Sequence, residues 1–144
     1  MSELTTDLPT RSAIETLQAL ISTEQQLELV TNHHFADGMY CRTLFRPKGA
    51  LIVGKIHRQE HFYIVVFGDV TVTSDGLRER VQGFKVFTSR PGTKRAVYAH
   101  EDSLCLTVHR TNETDIDKLD DALVEEDPTA MYLPGNIPKS RELT

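Results

Sequence analysis

No stretch of this chain approaches the roughly 20 consecutive apolar residues that cross a bilayer, and residues Met1 to Thr10 are polar and acidic. Neither a membrane span nor a signal peptide is expected, and the cytoplasm is the expected location. Basic residues are outnumbered: 16 Lys and Arg stand against 21 Asp and Glu, a formal net charge of −5. Nucleic-acid binding calls for a concentrated basic face that displaces counterions from phosphates, so a nucleic-acid partner is not expected. Cysteine is scarce. Cys41 and Cys105 lie far apart in strand-like runs, without the CxxC spacing of a zinc or redox site, and read as buried thiols rather than a disulfide. Phosphate-loop spacing is missing too, and Ser103 beside Asp102 has no serine elbow around it.

What is present fits one globular domain. The 144 residues are 39% hydrophobic and 26% charged, enough to bury a single core. Residues 1–34 read as a loose leader followed by a helix. Ser12 and Glu15 have capping-box spacing, and Ile14, Leu17, Leu20 and Ile21 recur at helical intervals, predicting a helix from about Ala13 to Ile21. Residues 113–144 read as a second helix and a tail. That helix opens at Thr114, carries Ile116, Leu119, Leu123 and Val124 on one side, and has Asp115 and Asp117 at its positive end. After Pro128 the proline-broken tail is expected to run extended over the body or a neighbouring subunit.

Between them, residues 35–112 form short β-rich runs: Met39–Phe45, Ala50–His57, His61–Phe67, Asp69–Thr73, Phe84–Thr88, Arg95–Ala99 and Leu104–Val108. Separators such as Pro47-Lys48-Gly49, Gly68, Ser74-Asp75-Gly76 and Pro91-Gly92 punctuate them. Many short strands with Gly and Pro turns predict an antiparallel sandwich or barrel.

The segment from Gly54 to Gly68, with Lys55, His57 and His61 between, resembles the first cupin motif: Gly, His-x-His, three or four residues, Glu, six residues, Gly. Lys55 falls at the first histidine position, His57 at the second and His61 at the glutamate. The stretch Arg90 to Arg95 resembles the second motif, with Arg95 where a histidine would stand. The resemblance covers roughly Phe35 to Arg110, and it implies a cupin-type jelly-roll barrel with a helix at each end. The compact pattern also resembles small cupin-like proteins of tailed bacteriophages, which would place the chain in the host cytoplasm.

Cupins commonly hold a divalent metal through three histidines and a glutamate, so the resemblance implies that His57 and His61 hold iron, zinc, manganese or nickel. On one straight strand, residues four apart would be about 13 Å from each other; a shared ion therefore requires Arg58-Gln59-Glu60 to turn. Glu60 is a rival for the family glutamate, and His100 is a candidate third ligand, although alternation sets it opposite Arg95. His109, at a strand end, reads as a rim residue, and His33 and His34 read as a solvated turn. Arg95 and Lys55 at ligand positions disfavour a dication and favour an anion, and Tyr63 shares a face with His61. Two functions stay open. One is a small, anionic ligand bound in the barrel beside a weak metal centre. The other is a metal-free binding, sequestration or virion-assembly module without catalysis. A homo-oligomer is expected in either case.

Overall fold

Residues 10–21, 29–125, 132–133 and 137–138 are described by the structure, a computed structural model. The chain order is α1 (Arg11–Ile21), β1 (Val30–Ala36), β2 (Met39–Arg46), β3 (Leu51–Val53), β4 (His61–Phe67), β5 (Asp69–Ser74), β6 (Leu77–Gln82), β7 (Lys85–Ser89), β8 (Arg95–Ala99), β9 (Ser103–Arg110), α2 (Ile116–Leu123), β10 (Tyr132–Leu133) and β11 (Ile137–Pro138). Two antiparallel sheets face each other, one in the order β1-β2-β9-β4-β7 and the other β3-β8-β5-β6. This is the mainly β barrel with flanking helices that the strand and turn pattern predicts.

Alternation builds the barrel. On β9, Ser103, Cys105, Thr107 and His109 are buried while the residues between them are partly exposed, so every second side chain enters the interior. The same period buries His61, Tyr63 and Val65 on β4. Tyr63, Val65, Val70, Val72, Val81, Val97, Ala99 and Cys105 then form the core between the sheets. The β5–β6 hairpin pairs Ser74 with Leu77, leaving the two-residue turn Asp75-Gly76, whose glycine has φ +77, a conformation that non-glycine residues rarely adopt. Gly68 is required by contact as well. Its φ is +111, and a Cβ there would meet Ser103 Oγ at 2.1 Å.

Several boundaries differ from the sequence expectation. Val30–Ala36 is a strand rather than a turn: His33 Nδ1 lies 2.6 Å from the Tyr40 hydroxyl, and His34 is exposed. Leu77–Gln82, a charged run, is the edge strand β6. Strand β3 stops at Val53, and His57 makes only an isolated bridge to Val124. Helix α1 begins earlier than the Ser12–Glu15 spacing implies, with Thr10 Oγ1 accepting from the Ala13 N–H. Asp115 caps α2 by accepting from the Asp117 N–H. Both cysteines are free thiols. Strands β10 and β11 pair with each other; the rest of the expected tail, and the leader before Thr10, lie outside the described residues. Among the described residues no helix is long and apolar enough to cross a membrane.

Helix α1 seats Ile14 on Ala50, Ile52, Val53 and Ala96. Helix α2 covers the other end, where Leu119, Leu123 and Val124 pack on Tyr40. Fully burying a leucine is worth about 1.5–3 kcal/mol, so α2 is firmly held over that end. There the site forms.

Candidate metal centre and its cavity

The segment that carries His57 is not a strand, so its position depends on tertiary bonds. The Arg58 N–H donates to the Leu123 carbonyl at 2.8 Å and the Glu125 N–H to the Ile56 carbonyl at 2.8 Å. Arg58 Nε donates to the Val124 carbonyl at 2.6 Å, and the Gly92 N–H donates to the His57 carbonyl at 2.9 Å. The end of α2 and the turn before β8 thus pin His57 from two sides. Residues 58–60 then bend, and His61 opens β4. The two imidazoles come side by side, with ring centroids 4.3 Å apart.

A third imidazole completes the group. The His109 ring lies 4.8 Å from that of His57 and 4.6 Å from that of His61. Ligand nitrogens of the three lie within 4.8 Å of one another, against about 3.4 Å for neighbours around one tetrahedral ion bonded at roughly 2.1 Å. His109 is only 3% exposed, which corrects its reading as a rim residue. The period-two count from Cys105 through Thr107 reaches it. His100 is not part of the group: its Nε2 lies 2.7 Å from Thr71 Oγ1 on the other sheet. Glu60 is exposed and outside the group as well.

The donor set suits a transition metal. Burial holds His57 well below the usual imidazole range, reinforced by the Arg42 charge. Burial likewise brings His61 down to about 4 against the opposing Gln59 hydrogen bond, and His109 down to about 3 with help from His61 and Arg42. All three are neutral at pH 7, the form that binds metal. His61 Nδ1–H donates to the Gln59 carbonyl at 3.0 Å, which fixes the tautomer and leaves Nε2 with its lone pair. Buried His57 Nδ1 and His109 Nε2 have no hydrogen-bond partner among the described residues.

A cavity of about 80 Å3 is lined by His57 and, among others, by Arg42, Arg46, Lys55, Tyr63, Arg95 and Thr107. Arg95 donates from Nη1 to Ser89 Oγ at 2.6 Å and from Nη2 to His61 Nε2 at 3.2 Å, with its guanidinium carbon 4.2 Å from the Tyr63 ring centroid. Burial lowers its pKa to about 10, so it is charged at neutral pH, while burial lifts the Tyr63 phenol to about 12 and keeps it protonated. Lys55 lines the cavity but is ion-paired with Asp120. Arg46, unremarked in the sequence, is 6% exposed, and its Nε and Nη1 lack partners among the described residues.

No protein-family model matches the sequence, and no curated protein matches it. Solved structures do match its shape. An RmlC-like cupin from Shewanella frigidimarina superposes with a TM-score of 0.53 at 18% identity, over 64% of this chain and 86% of that one. KdgF from Halomonas sp. gives 0.53 at 19%, over 62% and 87%. The fold is a cupin barrel. A cupin superfamily protein from Desulfitobacterium hafniense extends the match to 73% of this chain and 95% of its own, with a TM-score of 0.51 at 13% identity. At such identities the likeness carries the cupin fold and not an activity.

Proposed function

We propose that this cupin-fold chain binds a small anionic ligand in its barrel, beside a divalent transition metal held by His57, His61 and His109. The observation that carries this reading is the convergence of three buried imidazoles, two of which have a buried ring nitrogen with no partner among the described residues. The residues fit the metal: three neutral histidines are a common catalytic donor set and leave positions open. A metal bound there would act as a Lewis acid toward a ligand oxygen. Arg95 orients the anion, Tyr63 stacks under the Arg95 guanidinium, and Lys55 contributes to the wall with its charge already matched by Asp120.

One observation favours a second reading, the metal-free binding module. Arg95 Nη2 donates to the same His61 lone pair that a metal would use, and no carboxylate joins the group among the described residues. Elemental analysis of untagged protein decides between the two. About one equivalent of iron, zinc, manganese or nickel, lost in H57A and H109A, supports the metal reading. Metal-free protein that takes up none on titration supports the second.

A cytoplasmic homo-oligomer belongs to the same proposal. The outer face of the five-stranded sheet exposes Phe62, Phe67 and Val86, and exposed apolar faces of this kind suit subunit contacts. Light scattering showing a monomer at high concentration would remove that part.

A further inference from the structure

The charge lining the cavity is unbalanced. Among the described residues its wall holds Arg42, Arg46, Lys55 and Arg95 and no Asp or Glu. Asp120 matches Lys55, which leaves three guanidinium groups with no carboxylate in the wall. The partners of Arg95 are a serine hydroxyl, a neutral imidazole and an aromatic face. Arg46 is more extreme. It is nearly fully buried, its Nε and Nη1 have no partner among the described residues, and its guanidinium meets the Tyr63 phenol and the Cys105 thiol rather than a carboxylate. Buried cations in proteins are ordinarily paired, and native structures leave few buried polar groups unsatisfied. Here Thr107 Oγ1, in the same wall, also has no partner among the described residues. Donors without acceptors, gathered around one cavity, define what is complementary to it.

The two arginines, Arg46 buried and Arg95 half-buried, both line that cavity and both contact Tyr63. Arg95 comes from β8 and lies over the ring, near His61 and Ser89. Arg46 comes from the far end of β2, where its backbone pairs with Ser103. We propose that Arg46 and Arg95 form a two-ended seat for a short-chain dicarboxylate that spans the Tyr63 ring, one carboxylate on each guanidinium. Carboxylates match guanidinium donors in geometry as well as charge. Two acidic groups, rather than one, offset two cations, and a cavity of about 80 Å3 limits the linker to a few carbons. This rests on the cavity being the ligand site but not on the metal.

The test is calorimetric titration of chelator-treated protein in low-chloride buffer with malonate and succinate, against acetate and inorganic phosphate. One of the dicarboxylates is expected to bind at least tenfold more tightly than acetate or phosphate. R46M and R95M are each expected to weaken dicarboxylate binding about tenfold or more, the loss of a charge-assisted contact, with acetate little changed. Without ligand, R46M is expected to melt no lower than the parent chain, because an unpaired buried charge is replaced by an apolar side chain of similar length. A merely structural arginine would instead lower the melting temperature. Should R46M fail to fold, R46K keeps the charge, loses the planar fork, and is expected to show the same loss of dicarboxylate binding. Phosphate or acetate binding as tightly as either dicarboxylate, or variants with parental affinity, would overturn the assignment. Metal content measured on the same preparations before chelator treatment separates this outcome from failure of the three-histidine reading.

Discussion

Lowering the pH from 7 to 5 in the presence of a chelator is expected to destabilise this protein steeply, by an amount set by its three imidazoles. In the unfolded chain each has a pKa near 6.5. In the folded protein His61 sits at about 4, His109 at about 3, and His57 well below its usual value. The folded pKa values are depressed, so between these limits the unfolded chain binds more protons. Stability is therefore complete above about pH 6.5 and is lost as the pH falls toward the folded values. From 6.5 to 5.0 the change is 1.5 units at 1.36 kcal/mol per unit, or about 2 kcal/mol for each of His61 and His109. These two set about 4 kcal/mol before solvent screening, which reduces it to roughly half, and His57 acts in the same direction. Against a typical total of about 5–15 kcal/mol, that is a sizeable fraction. Urea unfolding followed by circular dichroism at pH 7, 6 and 5 measures it, and H109L should shrink the drop. An unfolding midpoint that stays level from pH 7 to 5, or a drop that H109L leaves unchanged, would refute the neutral, buried cluster.

Two further outcomes follow from the same geometry. R95M frees the His61 lone pair and removes a nearby positive charge, so zinc or cobalt affinity is expected to rise about tenfold, read by competition with a chromogenic chelator; an unchanged or weaker affinity contradicts this. L123A removes a buried contact between α2 and Tyr40, with an expected cost of about 2–5 kcal/mol in chemical denaturation, and it loosens the support of His57 enough to weaken metal uptake as well.

His61–Phe67 and Arg95–Ala99 match their runs end for end. In the first, alternation follows burial between the sheets; the second is set off by the turn residues Pro91-Gly92 and buries Ala96 beneath α1 as well as Val97 inside. The strands that escaped notice, β1 and β6, are both sheet edges. Edge strands carry polar and charged side chains that blunt pairing with other chains, and so Thr-Asn-His-His and Leu-Arg-Glu-Arg-Val-Gln read as loops. The run Ala50–His57 overshoots strand β3 because Ile56 and His57 leave the sheet to meet Glu125 and Val124 at the end of α2, a tertiary event with no local signal. At the site, the need for a bend between His57 and His61 was readable from strand geometry alone. His109 lay within reach of the alternation rule, but its place near a strand end suggested solvent. Arg46 carried the same inward phase from Tyr40, Arg42 and Leu44, yet a charge in that phase is ordinarily assigned outward. Its neighbours inside the barrel, Tyr63 and Cys105, make it interior.

The central claim is that His57, His61 and His109 bind one ion. The most direct measurement is anomalous diffraction from a crystal grown with cobalt, collected at the cobalt edge. The account expects a single strong peak roughly 2.1 Å from one nitrogen of each imidazole, with the Arg95 guanidinium moved off His61. A map with no peak among the three rings, at cobalt concentrations that saturate other three-histidine centres, would contradict it.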